Sequence, residues 1–281
     1  MITPEDVFDR AEKAARFLKS GLGDIPPVAL LLGSGWDALL ESRGADAAVD
    51  FDAVPGFSSP CAEGHAGRIS VIRTPGGSLL IQEGRPHCYD GYSALEVSFP
   101  VFAYADAGVR VLIMLCAAGG LNPVYEAGDL IIVRDHIALW GENPLRGLPS
   151  GDSPPRSPHV AVAGIYRERW QEVLKASLPT EAHVEKGVYV HVPGPSYETA
   201  AEAVLLRIAG GDVVGMSMTT EALAAGYVGI DVAALCCVSN TLLPFATVSP
   251  SQQSVLAAVR SAARSIPDFL DNLAEKAYMI L

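Results

Sequence analysis

The sequence predicts an α/β fold. One domain over residues 1–281 is expected, its central twisted sheet mixed but mostly parallel and flanked by helices on both faces. Two observations carry this. Short apolar runs rich in β-branched residues alternate along the chain with longer helical stretches, the order that parallel strands and their crossovers impose. The 281 residues are also 49% hydrophobic with a mean hydropathy of +0.27, enough to bury a full core and too apolar to stay disordered. No internal repeat or low-complexity linker interrupts the alternation, so a single domain is expected.

The first element is a helix over residues 4–19. The opening stretch, MITPEDVFDRAEKAARFLKS, is charged and amphipathic and reads as a helix, not a signal peptide. VALLL at 28–32 is a short apolar run bounded by turn residues, hence a buried strand. The same pattern places strands at 79–82, 111–115, 129–133, 187–192, 213–216 and 232–238. Helices are expected over 94–107, 164–177, 197–209, 219–229 and 251–276. Residues 143–158, NPLRGLPSGDSPPRSP, are dense in Pro, Gly and Ser and read as a long loop of the kind that serves a site.

Charge and cysteine usage narrow the function classes. A net charge of −12 and a pI near 4.9 argue against a nucleic-acid surface, so any phosphate must be held by a local pocket. No apolar run reaches the roughly 18–20 residues of a membrane span. Cys61, Cys88, Cys116, Cys236 and Cys237 show no C-x-x-C spacing and read as buried thiols of a reducing cytoplasm, with no zinc site. His65, His136, His159, His183 and His191 show no metal spacing either, and most read as structural or exposed.

The most informative stretch is LLIQEGRPHCYDGY, residues 79–92. Arg85 and His87 stand two apart after a strand, so an extended backbone presents both to one small anion. In α/β sheets, ligands collect beyond the carboxyl ends of the strands. Several predicted strands end there in small polar or glycine-rich residues: Gly33-Ser34-Gly35, Cys116-Ala117-Ala118-Gly119-Gly120, Gly194-Pro195-Ser196-Tyr197-Glu198, Met216-Ser217 and Ser239-Asn240. Tyr197 offers a cover for a planar ring, Glu198 a carboxylate for a ring N–H, and Asn240 both a donor and an acceptor. Each feature also has a plain structural reading: a tight turn, close strand packing, a helix start.

Gly33-Ser34-Gly35-Trp36-Asp37-Ala38 fits G-x-G-x-x-G/A, with Asp50 and Asp52 downstream. A dinucleotide-dependent oxidoreductase is therefore a rival. It leaves the other glycine-rich strand ends unexplained and puts bulky Trp36 where backbone must approach a pyrophosphate. Gly215-Met216-Ser217-Met218-Thr219 lacks the last glycine of a nucleophile elbow, so no hydrolase triad is indicated.

Taken in order, these motifs resemble the trimeric, low-molecular-mass purine nucleoside phosphorylases. The resemblance adds Gly64-His65-Ala66-Gly67-Arg68 and Gly84-Arg85-Pro86-His87-Cys88-Tyr89 to the segments above and covers nearly the whole chain. It implies a nucleoside-phosphorylase-like fold, a homotrimer, and phosphorolysis: a purine nucleoside and phosphate give free purine and ribose 1-phosphate. It implies no metal or organic cofactor, inorganic phosphate being a co-substrate. Phosphate would be held by Ser34, Arg85, His87, the Ala117 amide and Ser217, and the ribose by Tyr89 and Met216. The purine would lie by Ala118, Gly119, Tyr197 and Val214, with polar contacts from Glu198 and Asn240. His87, Glu198 and Asn240 are expected to carry the chemistry.

Three positions depart from the family pattern. Cys116 replaces an Asn, and Gln252 aligns with a His that often touches the ribose 5′-hydroxyl. His159 aligns with an aromatic lent by the neighbouring subunit. Ser249-Pro250-Ser251-Gln252 also reads as a capping box, which favours a structural role for Gln252. The expected substrates are 6-oxopurine nucleosides, inosine and guanosine and their deoxy forms, cleaved in the cytoplasm. The alternatives are a methylthioadenosine-type phosphorylase and a catalytically silent purine-binding relative.

Overall fold

The computed structural model describes residues 2–281 except 63, 140–141, 150–158 and 243–249. The last nine residues of the expected 143–158 loop, and Ser249 of the expected capping box, lie outside the described residues. In chain order the strands are β1 (Val28–Leu32), β2 (Ala47–Asp50), β3 (Arg68–Thr74), β4 (Gly77–Glu83), β5 (Val111–Gly120), β6 (Leu130–Ile137), β7 (Val184–His191), β8 (Val213–Gly215) and β9 (Asp231–Thr241). The helices are α1 (Val7–Leu22), α2 (Ala94–Ala107), α3 (Glu168–Ser177), α4 (Ala200–Ile208), α5 (Thr219–Val228), α6 (Gln252–Arg264) and α7 (Phe269–Tyr278).

The nine strands form one sheet in the order β2-β3-β4-β1-β5-β8-β7-β6-β9. β9 pairs in parallel with β5 along its length and antiparallel with β6, so five strands close on themselves beside a four-stranded wing. Five of the nine pairings are parallel, which meets the expected mixed sheet.

Alternation in the central strands sends side chains to two cores. Ala29 and Leu31 of β1, with Leu112 and Met114 of β5, face α1, α2 and α5. Val28, Leu30 and Leu32, with Ile113 and Leu115, face α3, α6 and α7. Helices on both faces therefore bury these strands completely, which is why they read as continuous apolar runs. A smaller cluster, Leu121, Val190, Ala203, Leu206 and Val214, seats α4 against β7 and β8.

The structure differs from the sequence pattern in three ways. β2 and β3 were not anticipated; β2 is half exposed and ends in Asp50, a poor strand former. The expected 251–276 helix is two, because Pro267 has no N–H to give and its ring excludes the preceding turn's carbonyl. And Cys116–Gly120 are not a loop. They continue β5, pairing with β9 across a bulge at Ala118/Gly119 and then antiparallel with β8.

Candidate active site

The carboxyl ends of β1, β4, β5 and β9 converge on a cleft of about 520 Å³. Every residue that the resemblance assigns to phosphate, ribose or purine lines it. Ser34, Arg85, His87, Ala117 and Ser217 stand with Tyr89 and Met216, and with Ala118, Gly119, Tyr197, Glu198, Val214 and Asn240. Asn240 lies within β9, which runs two residues past Ser239, and Gly119 sits opposite it in the β5–β9 ladder.

Arg85 and His87 follow β4 through Gly84, whose φ of +91° suits glycine and whose missing side chain makes room for His65. A Cβ there would sit 2.5 Å from His65 Cβ. Arg85 is almost fully buried. Its Nη1 donates to Glu221 at 3.2 Å and its Nη2 to the carbonyls of Leu31 and Leu115 at 3.0 and 3.1 Å, while Nε has no partner. His87 stacks on Tyr89, ring centroids 4.5 Å apart, and its backbone N–H donates to Asp90 at 3.0 Å.

His65, grouped from sequence with the structural histidines, belongs to this site. Its Nε2 lies 3.1 Å from Ser34 Oγ and its Nδ1 3.0 Å from the Arg85 amide nitrogen. The glycines on either side, Gly64 and Gly67, both take positive φ, and that glycine-flanked histidine was the available signal. Burial pushes the His65 imidazole down to about 4, and burial with the neighbouring His65 and Arg85 holds His87 well below its ordinary value. Near neutral pH both histidines are therefore uncharged hydrogen-bonding groups, and Arg85 supplies the fixed positive charge.

Glu221 was also missed. It is the lone charge in α5, and it is buried, a pattern that signals a buried partner. Ser217 is set by its neighbours: its N–H donates to Tyr189 Oη at 3.1 Å, and the next residue, Met218, holds a φ of +61°. Met218 is the non-glycine residue with positive φ among those described. Such outliers gather at sites that need a defined geometry.

On the opposite side, Tyr197 and Glu198 precede α4, whose N-cap is Thr199. The expected helix thus begins three residues later, and the carboxylate of Glu198 faces the cleft from a non-helical segment. Its partial burial pushes its carboxyl up from the ordinary value. Gln252 also lines the cleft, whereas the α6 capping box is made by Ser251 and Ser254. This corrects the structural role expected for Gln252. Cys116 places its thiol 3.1 Å from that of Cys236 in the adjacent strand, behind Ala117.

The dinucleotide reading fails here. Gly33-Ser34-Gly35 leads into a short 3₁₀ turn at Trp36–Leu40, where the fingerprint requires a helix, and Trp36 is fully buried.

The Phosphorylase superfamily is matched over residues 27–275, and the chain belongs to it. Within it the chain is a member of the purine nucleoside phosphorylase family. It is 39% identical to purine nucleoside phosphorylase 1 of Bacillus subtilis over 83% of this chain and 85% of that one. It is 34% identical to the purine nucleoside phosphorylase of Rattus norvegicus over 96% of each. The structure is similar to that of Schistosoma mansoni purine nucleoside phosphorylase in complex with inosine. The TM-score is 0.85 at 29% identity, with 95% of this chain and 96% of that one covered.

Proposed function

We propose that residues 1–281 act as one catalytic unit that cleaves 6-oxopurine (deoxy)ribonucleosides, inosine and guanosine above all, by phosphorolysis. The observation that carries this is the convergence on one cleft of a phosphate-suited set, Ser34, Arg85, His87 and Ser217, with Glu198 and Asn240. An oxygen of phosphate forms the bond to the anomeric carbon as the N-glycosidic bond breaks. The pair from that bond passes to the purine, which leaves as an anion and is then protonated. Positive charge builds on the sugar and negative charge on the base. Phosphate held by Ser34, Arg85, His87, the Ala117 amide and Ser217 faces the first, and Asn240 donates to the second.

Tyr89 and Met216 flank the sugar; Gly194, pressed against both, leaves them room. Ala118, Gly119 and Val214 form the smooth surface on which the ring lies, and Tyr197 covers it. Glu198 as carboxylate accepts a ring N–H, which a 6-oxopurine has and adenine lacks. Inorganic phosphate is the co-substrate, and no metal or organic cofactor enters. No helix among the described residues is long and apolar enough to cross a membrane. We place the activity in the cytoplasm, in a homotrimer, with purine nucleoside and phosphate as its small-molecule partners.

The test is cleavage of inosine by purified protein, with and without phosphate, beside adenosine and methylthioadenosine. Phosphate-dependent release of hypoxanthine from inosine, with adenosine poor, is expected. Preference for methylthioadenosine would overturn the role given to Glu198. No turnover of any of the three, with inosine still bound, would make the chain a silent purine binder.

A further inference from the structure

We propose that Glu221 is a positioning residue that sets, through Arg85, how tightly the cleft holds phosphate. The inference rests on reading the cleft as a phosphate site. Glu221 and Arg85 are 2% and 1% exposed at their side chains, and the Arg85 Nη1 to Glu221 Oε1 distance is 3.2 Å. The other carboxylate oxygen accepts from the Thr220 hydroxyl at 2.7 Å. Arg85 Nη2 is committed to the Leu31 and Leu115 carbonyls. Both terminal nitrogens are thus tied to the protein interior, and the guanidinium cannot swing. Its Nε is left buried and unpartnered where Arg85 borders the cleft.

This arrangement has an electrostatic consequence as well as a geometric one. The nearby imidazoles of His65 and His87 carry no charge near neutral pH. Asp90 stands 3.7 Å behind His87 Nδ1, and Asp37, which bears on His65, is itself held by Arg260 at 2.9 Å. The positive charge met by an entering phosphate is therefore that of Arg85, and Glu221 offsets one unit of it at contact distance. Phosphate then binds less tightly than the donor set alone allows. The pentose 1-phosphate product, whose phosphoryl group occupies the same place, is free to leave.

Glu221→Gln keeps an acceptor for Arg85 Nη1 and removes the charge. Inorganic phosphate is titrated calorimetrically, and kcat and the phosphate KM are measured with inosine. The expected result is phosphate binding about tenfold tighter, with kcat lowered as product release slows. Weaker or unchanged phosphate binding overturns the proposal, because a merely structural carboxylate would lower affinity and kcat together. In an Arg85→Met background the same change should leave the phosphate KM unaltered; an equal effect there overturns action through Arg85.

Should the Gln variant not fold in phosphate-free buffer, its melting temperature in graded phosphate reads the same quantity. A rise steeper than that of the unmutated chain supports the proposal, and instability indifferent to phosphate overturns it. Absence of saturable phosphate binding in the unmutated chain would instead remove the phosphorolysis reading itself.

Discussion

Ser239 donates its hydroxyl to Asn240 Oδ1 at 2.8 Å, the shorter of its two contacts, so the Asn240 amide nitrogen is the end left to serve a ligand. A serine buried in β9 thereby selects which face of an amide the cleft receives. The donor end suits a purine that gains negative charge as its bond to the sugar breaks. Asn240→Ala should lower kcat for inosine about 10²-fold and leave the phosphate KM nearly unchanged. Steady-state kinetics in both substrates checks this, and equal losses in the two would remove the assignment.

Arg85→Ala should act in the opposite sense, raising the phosphate requirement more than it slows the bound complex. It also strands Glu221, a buried carboxylate, without its cation. Loss of one partner from such a pair commonly costs about 3–5 kcal/mol. Denaturant unfolding should therefore show a large loss of stability beside the kinetic one.

Glu198 predicts an acid limb in substrate binding. Burial, the largest influence on its carboxyl, raises it above the ordinary 4.5, so the carboxylate is lost on acidification at a higher pH than an exposed glutamate would lose it. The inosine KM should rise on acidification, and begin to do so at a higher pH than loss of an exposed glutamate would give. A Glu198→Gln variant should have a high KM at neutral pH and show no such rise, which a pH series on both proteins would establish.

The buried histidines predict a pH dependence of stability. Burial is the leading cause lowering His65, His87, His136 and His191 from the ordinary 6.5. The unfolded chain takes up protons near pH 6.5 while the native state refuses them. Stability present above that pH is lost as the pH falls through it, by about 1.4 kcal/mol per pH unit at most for each such group. Exposed His183 opposes this weakly, because Asp129 raises it. Calorimetric melting temperatures should change little above pH 7 and fall as the pH drops through 6.5 to 5.5, and a flat profile would count against neutral buried imidazoles.

Tyr104 ties the core to the Arg85 side of the cleft. Its hydroxyl donates to Gln82 Oε1 at 2.7 Å, and Gln82 Nε2 donates to the carbonyl of Gly84, the residue before Arg85, at 2.9 Å. Tyr104→Phe leaves a buried acceptor unmet and should cost about 1–3 kcal/mol. It should also raise the phosphate KM while sparing the inosine KM.

Most of the residues that form the cleft were legible because they lie at or just beyond the carboxyl end of an apolar run, and such a run marks a strand. What stayed hidden involves pairing across the chain. Nothing local to Arg68–Thr74 announces that it will lie against β4, and Asp50 conceals the end of its partner strand. Ala117–Gly120 look like a loop because small residues lack strand propensity, yet β9 and β8 hold them in the sheet. His65 and Glu221 reach the cleft only through Ser34 and Arg85, over 31 and 136 residues of separation. Sequence spacing carries no record of such contacts.

The course of β5 from the core into the cleft divides the protein into parts that tolerate change differently. One strand packs Met114 among the helices and, a few residues on, brings Ala118 and Gly119 to the cleft. The floor of the cleft is thus built from the same lattice that keeps the chain folded, and altering it puts the whole molecule at risk. The walls come from segments outside the sheet: 194–198 before α4 and the first turn of α6 with Gln252. Substitutions in those walls should shift sugar or base preference at little cost to folding, whereas substitutions in the floor should cost stability together with activity.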